Sequence, residues 1–189
     1  KNSYLCSGIV IKDKSNQSKL AKMEDKKYFS RQIDESLMAW KNSTRHKPLL
    51  LRGARQVGKS SSVRHLAKQF DNFVEINFER KPAYLEIFKG DRDAKHIVEM
   101  IKSITGEPIV PGKTLLFFDE IQMCQEAISS LRFFWEDMPG LHVIAAGSLL
   151  EFALSEIPTV GVGRIHSMFS YPMSFDEFLN ALGMFSIQK

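Results

Sequence analysis

The chain has 189 residues, 43% of them hydrophobic, and a net charge of +4, enough apolar material for one packed core and one domain. Its two cysteines, Cys6 and Cys124, are too few for a disulfide framework and have no metal-ligand spacing, so inert thiols in a reducing, cytoplasmic setting are expected. No run approaches the roughly 18 apolar residues of a membrane span, and the first residues lack a signal peptide's apolar core.

Charge is unevenly spread. Residues 1–47 hold 11 basic and 5 acidic side chains, and the remainder holds 15 and 17. A basic arm can touch nucleic acid or an acidic surface, but no aromatic residues interleave the lysines as stacked bases would require. The simpler expectation is a solvated basic leader over residues 1–22, with one short strand at Gly8-Ile9-Val10-Ile11 and Met23 as a candidate natural start. Residues 23–47 read as a helix and a linker. Ile33, Leu37 and Trp40 form its stripe at helical spacing.

Pro48 opens a core strand, Leu49-Leu50-Leu51, and the next residues carry the chemistry. Gly53-Ala54-Arg55-Gln56-Val57-Gly58-Lys59-Ser60 fits GxxxxGK[ST], between that strand and a helix whose face is Val63, Leu66, Ala67 and Phe70. Strand, glycine-rich loop and helix are the setting in which this pattern binds phosphate. Glycines let backbone N–H groups curl around an anion, and the helix beginning near Lys59 adds the positive end of its dipole. Residues 53–60, with the adjacent Ser61, are therefore the candidate nucleotide cradle. Lys59 would reach the outer phosphates, and the Ser60 hydroxyl would ligate Mg²⁺.

Beyond this loop Val74, Ile76 and Phe78 alternate with polar residues, predicting a second strand. Residues 81–89 form a short amphipathic segment containing Leu85 and Phe88. A helix is predicted over 93–104, with Ile97, Met100 or Ile101, and Ile104 on one face and Gly106 and Pro108 ending it. Thr114-Leu115-Leu116-Phe117-Phe118 is the unbroken apolar run of a strand covered on both faces. It ends in Asp119-Glu120, the Walker B pattern: Asp119 would hold the Mg²⁺ shell through water, and Glu120 would polarise the attacking water. Acids at strand ends are also common loop residues. Parallel strands, however, bring their carboxyl ends to one sheet edge, which would unite Asp119 and Glu120 with the loop.

A helix with Ala127, Ile128, Leu131, Phe134 and Trp135 inward follows, then a buried strand over 141–146 ending in Gly147-Ser148. Ser148 is either a γ-phosphate or water contact or a plain turn serine. Gln122 is a further candidate for placing water. A short helix over 149–154 and a loop with Pro158, Gly161 and Gly163 lead to a last strand over 165–169. Arg164, just before that strand, is either a transition-state arginine, in its own subunit or a neighbour's, or a surface salt bridge. Ser174-Phe175-Asp176-Glu177 is a capping box that starts a helix. The core therefore spans 48–170, and residues 171–189 begin a further C-terminal region.

The motifs Leu50 to Ser60, Phe118-Asp119-Glu120-Ile121-Gln122, Ala146-Gly147-Ser148, Gly163-Arg164 and Tyr171-Pro172-Met173-Ser174-Phe175-Asp176-Glu177-Phe178 together resemble the AAA domain of prokaryotic ATPases that carry a C-terminal DUF4143 domain. The resemblance covers about 26–182. It implies a three-layer α/β/α P-loop NTPase fold with a parallel five-strand sheet of order 5-1-4-3-2, AAA+-like, with Ser148 at the sensor 1 position and Arg164 at an arginine of the family motif. It further implies ATP as the nucleotide and coupling to a C-terminal domain or partner. The function expected is a Mg²⁺-dependent ATPase with Glu120, Lys59 and Arg164 as catalytic residues, with a homo-oligomer completed through Arg164 as one arrangement. A nucleotide switch with little turnover is the alternative, and a small-molecule kinase lacks the Arg-rich lid it would need. No guanine-selecting NKxD element and no LSGGQ signature is present.

Overall fold

The computed structural model of the protein describes residues 28–90, 93–148, 150 and 163–184. The strand expected at residues 8–11, Met23 and nearly all of the helix expected over 149–154 lie outside them. The described residues form five strands: β1 (Leu49–Arg52), β2 (Asn72–Asn77), β3 (Thr114–Asp119), β4 (His142–Ala146) and β5 (His166–Phe169). The helices are α1 (Gln32–Asn42), α2 (Lys59–Ala67), α3 (Ala94–Thr105), α4 (Gln125–Asp137) and α5 (Phe175–Ala181), with 3₁₀ turns over Pro82–Phe88 and Ile121–Met123.

All strand pairs are parallel, and the sheet order is β2-β3-β4-β1-β5. That is the expected 5-1-4-3-2 order read from the other edge. β4 separates β1 from β3, with Leu51 opposite Ala146 and Asp119 opposite the same alanine. The carboxyl ends of β1, β3 and β4 therefore meet at one edge.

Alternation along the strands builds two cores. Leu49, Leu51, Leu115, Phe117, Ile144 and Ala146 face one side with Leu37 and Trp40 of α1 and Val63, Leu66 and Ala67 of α2. Leu50, Val74, Ile76, Leu116, Phe118, Val143 and Ala145 face the other with Ile97, Val98 and Ile101 of α3 and Ala127, Ile128, Leu131 and Phe134 of α4. β3 is buried at all six positions, as its unbroken apolar run predicts. The result is a three-layer α/β/α sandwich with the P-loop NTPase fold, and α1 is built into its core.

Two inward assignments need correction. Ile104 is 50% exposed and Val98 is buried instead. Seven residues after Ile97, Ile104 keeps nearly the same angular position, but it sits in the last turn before the helix ends at Thr105, where the core no longer covers it. Trp135 is only half-buried and belongs to neither core cluster, since Leu131 and Phe134 already occupy the inner face of α4. Cys124 is buried and free, and burial pushes its thiol up to about 11, in keeping with an inert residue. Among the described residues no helix is long and apolar enough to cross a membrane.

Candidate functional site

The loop after β1 turns on three backbone positions that disfavour side chains. Gly53 has φ +142°, and a Cβ there would lie 2.2 Å from the Ser170 carbonyl oxygen. Gln56 has φ 64°, and Gly58, at φ 97°, forms the left-handed N-cap of α2. The loop thus folds over the N-terminus of α2, where backbone N–H groups lack helical partners and the dipole favours an anion.

Lys59 is buried. Its ammonium is folded back under the loop, donating to the carbonyls of Gly53 at 2.9 Å and Ala54 at 2.7 Å. Ser60 Oγ donates to Asp119 Oδ1 at 2.8 Å. The other Asp119 oxygen accepts from Asn77 Nδ2 at 2.9 Å, and Arg64 Nη2 stands 3.6 Å from it. Burial raises the Asp119 pKa, against the hydrogen bond from Ser60, the charge of Arg64 and the hydrogen bond from Asn77. Arg64 is held in turn by Glu75, through Nε at 3.0 Å.

Glu120 adopts a left-handed conformation, φ 54° and ψ 44°, at the point where the chain leaves β3. Its Oε2 accepts from Gln122 Nε2 at 2.6 Å. Gln122 Oε1 is buried without a hydrogen-bond partner among the described residues and lies over Gly147, where a Cβ would approach it to 2.1 Å. Gly147 is thus the small residue that lets the Gln122 amide reach Glu120.

These elements enclose a cavity of about 300 Å³ lined by Arg55, Gln56, Gly58, Lys59, Ser60, Ser61, Glu120 and Ser148. The ends of β1, β3 and β4 each contribute to it. Asp119 stands directly behind its Ser60 wall through the hydroxyl contact. Gly53, Ala54 and Val57 do not line the cavity; their carbonyls hold Lys59 and Arg31. Arg55 is exposed and lies 3.8 Å from Glu79.

Arg164 stands apart. It precedes β5, whose first residue, His166, pairs with Leu49 at the start of β1. That is the amino edge of the sheet, opposite the cavity. Its Nε meets Glu136 Oε1 at 2.6 Å, with both side chains well exposed. In this arrangement Arg164 stands at the sheet edge opposite the cavity of its own chain.

Four contributors were not legible beforehand. Asn77 and Arg64 hold Asp119, and Glu75 holds Arg64; the polar end of an alternating strand was the only available signal for Asn77. Arg31 donates from Nη1 to the Val57 carbonyl at 3.0 Å and from Nε to Glu177 Oε1 at 3.1 Å. Positions 26 and 146 residues away along the chain leave no local signature. No group of three or more metal-ligating His, Cys, Asp or Glu residues occurs among the described residues.

A parallel sheet of this order, with a left-handed glycine loop over a helix N-terminus at its carboxyl edge, defines a P-loop NTPase. The chain belongs to the AAA domain family, whose model matches residues 45–179. No curated protein matches it. Family and fold together make this a nucleotide-binding module of the ATPase type.

Proposed function

We propose that the chain binds ATP with Mg²⁺ in the cavity at residues 53–61 and hydrolyses it, coupling the cycle to a C-terminal DUF4143-type domain or a partner. The observation that carries this is the convergence of Lys59, Ser60, Glu120 and Ser148 from three strand ends around one cavity. Backbone N–H groups of the loop would take the phosphates, and Lys59 would leave its two carbonyl acceptors to meet the outer ones.

The donor set suits a hard cation: Ser60 Oγ and Asp119 Oδ1 are oxygens already 2.8 Å apart. Ser60 would hold Mg²⁺ directly and Asp119 through water, and the ion would neutralise charge on the transferring phosphoryl group. Asn77 and Arg64 keep the Asp119 carboxylate aimed at Ser60. Glu120 would accept the proton of the attacking water once its carboxylate turns from Gln122. Ser148 would hydrogen-bond that water or the γ-phosphate. Arg164 would act only on a neighbouring subunit's nucleotide, leaving Glu136 to do so.

The hydrogen bond between Gln122 and Glu120 also supports a second reading, a nucleotide switch whose general base rests in a held position and turns over rarely. Mg²⁺-dependent phosphate release from ATP separates the two, comparing the chain with Glu120→Gln across protein concentrations. Turnover lost in the variant and rising faster than linearly with protein supports an ATPase completed between subunits. Tight binding without turnover in either protein supports the switch, and full turnover in Glu120→Gln removes Glu120 from the chemistry.

A further inference from the structure

Arg31 is the N-cap residue of α1, ahead of the loop in sequence, and its side chain is 10% exposed. Its backbone is fixed by Asp34, whose Oδ2 accepts from the Arg31 N–H at 2.8 Å. Asp34 is itself held through Oδ1 by the Tyr28 hydroxyl at 2.6 Å. From this anchored position the guanidinium makes three bonds in three directions. Nη1 donates to the Val57 carbonyl at 3.0 Å, Nη2 to the Tyr171 carbonyl at 2.9 Å, and Nε to Glu177 Oε1 at 3.1 Å.

The Val57 contact bears on the cavity through peptide geometry. The Val57–Gly58 peptide is trans, so the Val57 carbonyl and the Gly58 N–H lie in one plane and point in opposite directions. Gly58 lines the cavity. A guanidinium that holds the carbonyl from behind therefore turns the Gly58 N–H toward the space where an anion would sit. It also polarises that peptide, since a charge-assisted hydrogen bond at one end strengthens donation at the other.

The Glu177 contact ties the same guanidinium to α5. Glu177 is buried, and its carboxylate also accepts from the Gln32 N–H at 2.7 Å and the Ser174 N–H at 2.7 Å. Burial would raise its pKa, but the hydrogen bonds from Ser174, Gln32 and Arg31 outweigh it and hold the carboxyl below its ordinary value. Glu177 thus serves twice, as the capping-box acid of α5 and as the seat of Arg31. Neither Glu177 nor Tyr171 lines the cavity. Their connection to it runs through Arg31.

We propose that Arg31 is a positioning residue that orients the Val57–Gly58 peptide for phosphate and, through Glu177 and the Tyr171 carbonyl, links occupancy of the cavity to the seating of α5. This rests on the nucleotide reading above. An anion on the Gly58 N–H draws the Val57 carbonyl toward Arg31 and tightens its hold on the C-terminal segment. By linkage, loosening that segment weakens nucleotide binding by the same factor.

The test measures affinity for the non-hydrolysable analogue Mg·AMPPNP in the intact chain, Glu177→Gln and Arg31→Lys, together with hydrogen exchange of the α5 amides with and without the analogue. Thermal unfolding of each variant verifies that it is folded. The expected result is a loss of affinity of about 5–150-fold in each variant, the usual range of coupling between sites. In the intact chain the analogue should slow α5 exchange, and in Arg31→Lys that slowing should vanish. A residue that only supports the fold would change exchange equally with and without analogue. Binding by the intact chain with unchanged affinity in Glu177→Gln, or α5 exchange indifferent to the analogue, overturns the link and leaves the nucleotide site standing. No binding by the intact chain overturns the nucleotide reading itself. Should Glu177→Gln fail to fold, the exchange comparison in the intact chain decides alone.

Discussion

Gly53→Ala isolates what the turn out of β1 requires. Gly53 sits at φ +142° with a would-be Cβ 2.2 Å from the Ser170 carbonyl oxygen, a backbone atom with no rotamer to yield. Alanine therefore meets two penalties. A side chain in this left-handed region costs about 1–3 kcal/mol, and relieving the clash pushes the end of β5 from β1. That second movement endangers the bond from the Ser170 N–H to the Arg52 carbonyl, now 2.8 Å, worth about 1 kcal/mol. Together they imply a loss of roughly 2–4 kcal/mol, a large part of an ordinary domain's 5–15 kcal/mol. For a chain of this size that lowers Tm by on the order of 5–15 °C. Gly106→Ala supplies the control: it too has positive φ, 71°, but nothing within 4 Å of its would-be Cβ, so it should lose only the left-handed penalty of about 1–2 kcal/mol. Thermal or urea unfolding of both variants measures the difference. Equal losses in the two, or a Gly53→Ala Tm within a degree or two of the parent, would refute the steric reasoning.

Other consequences are equally open to measurement. Gly147→Ala should push the Gln122 amide off Glu120, since its Cβ would fall 2.1 Å from Gln122 Oε1; the flexible amide can give way, so ATP turnover should change far more than Tm, and unchanged turnover would detach Gln122 from catalysis. Arg164→Ala should lower turnover by about 10³-fold or more with nucleotide affinity retained; if neither changes, the residue serves only its contact with Glu136. Acid should destabilise the chain through the stacked pair His46 and His142, whose rings lie 3.6 Å apart. Burial and then the charge of His142 lower the His46 pKa to about 4, and burial chiefly lowers that of His142. The unfolded chain therefore binds protons that the folded one does not. Stability should fall as pH drops below about 6.5 and level off near 4, by roughly 1 kcal/mol after discounting for partial solvation. A Tm flat from pH 7 to 5, or the same slope in His46→Phe, would contradict this.

Much of the fold was legible because its signals are local. The apolar run ending at Asp119, the glycine loop before a helical stripe, and the Ser174 and Glu177 cap each follow from residues within one turn or strand of one another. The strand order was not local; it came with the resemblance carried by several motifs at once. What escaped the sequence depends on residues meeting across the fold. Asn77 reaches Asp119 only because β2 pairs with β3 in the register that sets the two opposite. Arg31 reaches Val57 and Glu177 only because α1 packs beneath the loop. Arg164 shows the limit from the other side. Its place before a strand of an expected parallel sheet already implied the amino edge, and the pairing of His166 with Leu49 shows it; its contact with Glu136 had no signal in the sequence.

The central claim is that the cavity around Lys59 binds nucleoside triphosphate through its phosphates, and calorimetric titration of Mg·ATP into the chain and into Lys59→Ala tests it most directly. Saturable binding to the parent chain, lost in the still-folded variant, is the expected result. Binding of equal strength in both would contradict it, because a nucleotide indifferent to Lys59 is not held at this loop.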